Sequence, residues 1–353
     1  MKQRFCSTFD TGMSKKNFIR AIAITALAAI GNTASLHAQT GGPGVELWKS
    51  FLPYNQVNGV ATDGTTFFCS TNSGFFNYHR EDGAMDAYSK VNGMSDIGMT
   101  GVAYDKTSKT AILAYSNSNI DFFKDGTFYN LPDLKMFPVS GQKTIFSVHA
   151  EDGLGYLSTG IGLLIVNMTK RESKTTVRFS KDSREGLVYS ATTDDTYVYA
   201  ATSVGLFRIN KDNPFIQNDK LWTTLDTTTY IQLGNAGGNV YAADLGRKVF
   251  QVTGVSNITF LEQMQNPVWH LDAGEGGIWI FTADTNADNR KGYAVLRSTS
   301  GTHTDSIATV FPSQIVQLGT GDVWYGDQSD YAFTADHGLR KRTGLKQSEL
   351  YIP

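Results

Sequence analysis

ATDGTTFFCSTNSGFFNYHRED (residues 61–82) and ATTDDTYVYAATSVGLFRINKD (191–212) follow one grammar. Each reads as an apolar strand, a tight polar turn and a second strand ending in small residues. A Gly–apolar step and a third strand ending in charge complete the unit. Val, Ile, Tyr, Phe and Thr fill the runs, and Asp-Gly, Asp-Asp or Gly-Gly pairs bound them, which is strand and hairpin chemistry. Two further copies lie between these, at 103–126 and 149–170, and three fainter ones follow at 234–254, 272–298 and 319–344. The residues at the step are Gly74, Asn119, Gly162, Gly205, Arg247, Gly292 and Gly338, spaced 42 to 46 residues apart. That is the period of a four-stranded propeller blade. A small sheet with two apolar faces cannot bury both alone, whereas radial stacking buries them. The sequence therefore predicts an all-β fold, a single β-propeller of about seven four-stranded blades over 45–344. A glycine at the step is expected to supply positive φ between the second and third strands.

A solenoid has shorter coils than this, and a sandwich has no reason to repeat. The segment ELWKSFLPYNQVNGV (46–60) resembles LWTTLDTTTYIQL (221–233), which joins one blade's outer strand to the next blade's inner strand. On that reading Glu46 to Leu52, with Trp48, is an outer strand with no blade before it. It is expected to close the ring by completing the last blade. Residues 345–353 are then an exit segment, which suggests further domains downstream.

The N-terminus reads as a targeting signal. Lys15, Lys16 and Arg20 precede the apolar run AIAITALAAI (21–30), and a small-residue stretch follows. This is signal-peptide order, with cleavage expected after Ala38 and a linker over 39–44. The apolar run is shorter than the roughly 20 residues of a membrane span, and no later stretch reaches that length. Roughly 315 mature residues would ordinarily suggest two domains, but repeat architectures override that prior. The expected location is the periplasm or the outer-membrane cell surface.

Charge and cysteine content exclude several classes. The whole chain has a formal net charge of −2, and residues 1–38 hold five basic and one acidic residue, so the mature chain carries −6. An acidic surface argues against nucleic-acid partners, whose affinity comes mainly from Lys and Arg on phosphates. Only Cys69 follows the signal, inside the apolar run FFCST, so burial rather than a disulfide must hold the fold.

Catalytic patterns are missing. His79, His149, His270, His303 and His337 are scattered, with no HExxH or HxH, and read as surface residues. There is no GxSxG, Walker loop or Rossmann glycine pattern in a strand–helix setting. The acidic pairs Glu81–Asp82 and Asp194–Asp195 fall at turns. Asp284, Asn286 and Asp288 alternate as in a calcium loop, but Asn289 replaces the turn glycine and Val295 stands where the Glu should be. An elongated hairpin loop accounts for them as well. Trp222, Trp269, Trp279 and Trp324 sit in strand runs and are expected to pack between blades. The expectation is a non-enzymatic binding protein with no cofactor, no metal and no legible ligand-contact residues.

Several stretches carry a family likeness. Trp48–Phe51, GVATDGTTFFCSTNSGFFNY (59–78), YSKVNGMSD (88–96) and ILAYSNSNIDFF (112–123) resemble the N-terminal propeller of the PorZ family. Gly93–Met94–Ser95–Asp96 and the run Ala114 to Asp121 carry most of it. The family is the β-propeller component of the type IX secretion system of Bacteroidetes. The resemblance implies a cell-surface part of the attachment complex, with other complex proteins as partners. It also implies a role in binding or presenting anionic lipopolysaccharide, with two further domains beyond this propeller. A second resemblance, carried by GGIWIFTAD and TSVGLFRIN, is to the glycan-sensing periplasmic propellers of hybrid two-component regulators. Here only Gly277–Ile280 and Asp322–Trp324 approach their stricter blade signature. A lyase or hydrolase on a propeller would need a charged catalytic cluster on one face, and none is legible.

Overall fold

The structure is a computed structural model and describes residues 52–139, 141–253, 257–283, 292–307, 312–319, 321–328, 337–344 and 347–353. Seven four-stranded antiparallel sheets follow one another along the chain, each built from four consecutive strands. The innermost strands are Val57–Thr62, Met99–Asp105, Ile145–Glu151, Val188–Thr193, Tyr230–Ala236, Val268–Gly274 and Pro312–Gln317. Each touches the innermost strand of the next blade, and the first touches the seventh, so the ring is closed. Helix is confined to single turns at Lys90–Asn92, Asp133–Met136 and Asp219–Leu221 among the described residues. No described helix is long and apolar enough to cross a membrane. A short hairpin, Ser180–Lys181 with Arg184–Glu185, is inserted between blades 3 and 4.

Period-two alternation explains the stacking. The second strand of blade 1, Thr66–Thr71, is buried throughout. Phe67 and Cys69 pack toward blade 7, whereas Phe68 packs toward blade 2. In the fourth blade Val198 and Ala200 face blade 3, whereas Tyr199 and Ala201 face blade 5. Seven apolar clusters result, one per blade interface. Cys69 is fully buried and unpaired, as its apolar setting predicts.

The step is held by a side chain that the repeat carries in several copies. Thr71, Thr159 and Thr202 end the second strands of blades 1, 3 and 4, and their hydroxyls donate to the carbonyls of Gly74, Gly162 and Gly205 at 2.6–2.8 Å. Positive φ is found at Gly205 (144°) but not at Gly74. At Gly74 the requirement is space: a Cβ would stand 2.5 Å from the Tyr54 ring and 2.6 Å from the Tyr88 carbonyl. In blade 2 the left-handed residue is Ser118 (φ 68°), one position before the expected Asn119.

Ring closure needs a correction. The outer strand of blade 7 is Gln347–Tyr351, part of the expected exit segment, paired to Leu339–Gly344 from Leu339↔Tyr351 to Gly344↔Gln347. Both edges of Leu339–Gly344 are taken, by Val323–Asp327 on one side and Gln347–Tyr351 on the other. Residues 46–51, the expected signal peptide over 1–38 and the linker over 39–44 lie outside the described residues. Side chains clasp blade 7 to blade 1. Trp324 packs on Phe67 with ring centroids 4.5 Å apart, and on Tyr78 and Tyr351 at 5.5 and 5.2 Å. Gln314 Oε1 accepts from Val60 N at 2.9 Å, and Ser313 Oγ donates to Val57 O at 2.6 Å. Arg80 reaches Asp322 at 2.6 Å.

Candidate functional site

All seven innermost strands break register near their first residue. The residues left unpaired are Asn58, Thr100, Phe146, Tyr189, Ile231 and Trp269, with Ser313–Gln314 in blade 7. A bulge re-aims the side chain it leaves out of the ladder. Repeated around a ring, it concentrates side chains at one end of the central channel. A cavity of about 350 Å³ lies there, lined by Asn58, Asn72, Thr100, Phe146, Gln232, Trp269, His270, Gln314 and Gln328 among others. Among the described residues no Asp, Glu, Lys or Arg lines it. Phe146 is 37% exposed, and its ring stands 5.6 Å from that of Tyr189.

The polar groups of this mouth divide into two sets. Asn58 Nδ2 donates to Met99 O at 2.5 Å, and its Oδ1 accepts from Ser70 at 2.6 Å, so it ties blade 1 to blade 2. Gln232 and Gln328 make no side-chain hydrogen bond to the described residues, and Gln314 uses only its carbonyl oxygen. His270 Nε2 bonds Asp272 Oδ1 at 2.9 Å, and Asp272 Oδ2 accepts from Ile315 N at 2.6 Å. Burial works against a charged His270, but Asp272 outweighs it and raises the imidazole above its usual range.

The expectation of scattered surface histidines is corrected. All five sit beside a carboxylate: His79–Asp86, His149–Glu151, His270–Asp272, His303–Glu262 and His337–Asp327. Only His79 and His303 have side chains at least a third exposed. Among the described residues no three His, Cys, Asp or Glu side chains converge as a metal site. Asp284, Asn286 and Asp288 lie outside them. Of the four tryptophans, Trp222, Trp279 and Trp324 are buried between blades as expected, and Trp269 packs against the blade 6–7 cluster while also lining the mouth. Asp63 and Asp194 confirm the turn reading, accepting from backbone N–H groups two and three residues on.

Two other hollows flank blade 3. A cleft of about 660 Å³ between blades 3 and 4 is lined by Asp152, Tyr156, Lys174, Lys211, Asp212 and Gln217 among others. Lys211 is committed to Asp152 at 2.9 Å and lies 3.9 Å from Glu151. Glu151 is held at about 2 by His149 first, against burial, with Thr193 and Lys211 assisting. His149 Nε2 and the Thr193 hydroxyl are 2.8 Å apart, and that hydroxyl also donates to Glu151. A smaller hollow of about 310 Å³ is lined by Leu134, Phe137, Ile161, Lys174 and Arg178 among others. Arg178 lies 5.7 Å over the Phe137 ring.

Residues 67–223 match the family described as the type IX secretion system PorZ N-terminal β-propeller domain. That stretch runs from the second strand of blade 1 to the outer strand of blade 4. The match therefore spans most of the first four blades. Among solved structures, PorZ of Porphyromonas gingivalis is described as an essential bacterial surface component of the type IX secretion system. It aligns at 15% identity with a TM-score of 0.65, over 86% of this chain and 39% of its own. The extracellular domain of a one-component system of B. thetaiotaomicron aligns at 14% identity and 0.55, over 77% and 38%. The WD40 propeller of Doa1 aligns at 11% and 0.57, over 78% and 90%. At these identities the likeness is one of fold. The chain spans about two-fifths of the length of that PorZ structure. No curated protein sequence matches it.

The residues that carry the PorZ likeness converge in three dimensions. Asp121, fully buried, accepts from Ser95 N, the Tyr115 hydroxyl and Asn130 Nδ2 at 2.6–3.0 Å. Asn119 donates to Asp96 at 3.0 Å and accepts from Asn130 at 2.9 Å. Lys135 reaches Asp96 at 2.7 Å. Burial alone would raise the Asp96 carboxyl, but Lys135, Asn117 and Asn119 hold it at about 2. GMSD and NSNID therefore form one satisfied polar network that fastens the blade 1–2 connection onto blade 2. None of these residues lines the channel mouth.

Proposed function

We propose that this protein is a non-enzymatic component of a type IX secretion system, working by binding at the periplasmic or outer-membrane surface and supporting cargo maturation and attachment. The observation that carries the reading is the family match over residues 67–223. The fold likeness to PorZ along most of the chain agrees with it. Its partners are other proteins of the attachment complex, and anionic lipopolysaccharide is a candidate ligand. An acidic chain repels an anionic polymer at long range, so such binding needs a local site. Lys174 and Arg178, at the hollow beside Phe137, supply cations of the right sign for one.

A second reading has one observation in its favour: the fold likeness to the extracellular domain of a one-component system. It would make the propeller a glycan sensor. Deleting the gene in the source organism separates the two. Loss of cargo attachment supports the secretion reading. Intact attachment with failed growth on one glycan refutes it and supports the sensor.

A further inference from the structure

We infer that the channel mouth is a recognition site for an uncharged saccharide unit, read by Phe146, Tyr189 and Trp269 together with the side-chain amides of Gln232, Gln314 and Gln328. The inference rests on the proposed function only in treating the chain as a binding module.

Three observations carry it. The first is the set of bulges, one at the start of each innermost strand. A closed sheet gains no stability from losing a ladder bond in every blade, and bulges recur where a side chain must be aimed. In blades 3, 4 and 6 the aimed residue is aromatic. Phe146 and Trp269 line the cavity, and Tyr189 stands against Phe146. The second is unspent hydrogen-bonding capacity. Gln232, Gln328 and the Nε2 of Gln314 have donors and acceptors that are not used among the described residues. A primary amide offers two donors and an acceptor in one plane, which matches vicinal hydroxyls. The third is charge. The described residues that line this cavity of about 350 Å³ include no Asp, Glu, Lys or Arg to compensate a desolvated phosphate or carboxylate. His270, its titratable lining group, is already matched by Asp272.

Sugar chemistry fits all three. One face of a pyranose presents C–H groups, which the electron-rich face of an aromatic ring attracts, while its hydroxyls need donors and acceptors around the rim. The cavity volume lies at the small end of ligand sites and suits one or two rings. Such a site reads a chain end or a short stretch, not a long backbone.

The test uses the mature full chain. Tryptophan fluorescence and calorimetric titration are run with neutral oligosaccharides of two to six hexose units, the same set bearing phosphate or sulfate, inorganic phosphate, and a short uncharged peptide. Saturable binding of at least one neutral oligosaccharide is expected, weakened tenfold or more in F146A/Y189A. Gln232→Ala with Gln328→Ala, which remove no side-chain hydrogen bond among the described residues, should weaken it several-fold at unchanged melting temperature. That pair keeps the test decisive if the aromatic variant is unstable. Binding of no neutral oligosaccharide overturns the inference, as does tighter binding of the anionic set or the peptide, or insensitivity to both variant pairs. Gene deletion reads the secretion role independently, so a protein that binds sugar but is dispensable for attachment refutes that role alone.

Discussion

Trp324→Ala removes the centre of the contact that closes the ring. Trp324 is 2% exposed and touches Phe67, Tyr78 and Tyr351, two of which belong to blade 1 and one to the outer strand of its own blade. Truncating a buried Trp costs about 3–5 kcal/mol through lost transfer energy and the cavity left behind. Aromatic pairs add about 0.5–1.5 kcal/mol each beyond area. The indole Nε1 also donates to Asp322 at 2.8 Å, and that carboxylate is held by Arg80 across the seam. Partial collapse of Phe67 and Tyr78 into the space offsets some of this. We expect a net loss of about 4 kcal/mol, a large part of the 5–15 kcal/mol typical of a folded domain. Urea unfolding followed by far-UV circular dichroism measures it, with Trp279→Ala at the blade 6–7 interface as the comparison. Trp279 is fully buried but spans two blades that the chain already joins. Trp324→Ala should also open the ring reversibly below the main transition, seen as faster amide exchange in blades 1 and 7. A loss under about 1 kcal/mol, or exchange raised evenly in all blades, would show that the ring does not close through this seam.

Other expectations follow from single residues. Gly205 has φ 144° and a Cβ there would meet the Asp226 carbonyl at 2.5 Å, so Gly205→Ala should cost about 2–4 kcal/mol, read as a lowered urea midpoint. His270 has a folded pKa above its unfolded value. Its contribution is therefore whole below about pH 6.5 and lost as pH rises through the folded value, and His270→Gln should flatten the melting temperature over that interval. Asp96 is the opposite case. Its carboxylate, held at about 2, contributes above its unfolded value near 3.8 and is lost as pH falls toward 2. Lys135 and Lys90 are more than a third exposed, so Asp96→Asn should cost only about 1 kcal/mol at pH 7, with a shallower acid transition by calorimetry.

The strand content, the blade period and the buried second strands were legible in the sequence, because period-two alternation and a recurring step are local signals. FFCST and YVYAAT show which residues are apolar, and stacking follows from the need to cover both faces. The turn roles of Asp63 and Asp194, and the burial of Cys69, could be read for the same reason. The Thr–Gly clasp at Thr71, Thr159 and Thr202 is a local signal too, a Thr three residues before the glycine of its step.

What the sequence could not decide is which segments meet after a full turn of the ring. Glu46–Leu52 reads as the outer strand of blade 7 and 345–353 as an exit segment, and only the pairing of Leu339–Gly344 shows that Gln347–Tyr351 is the strand beside it. Trp269 packs between blades like the other strand tryptophans, but a register shift of one residue also brings it to the channel mouth, which the sequence does not show. Gln232, Gln314 and Gln328 stand far apart in the chain and are ordinary polar residues there. The sequence by itself determined what each blade is made of, since alternation and turn chemistry act over a few residues. The tertiary structure alone decided where the ring closes and what gathers at its mouth, since a bulge and a seam are set by pairing partners far apart in the chain.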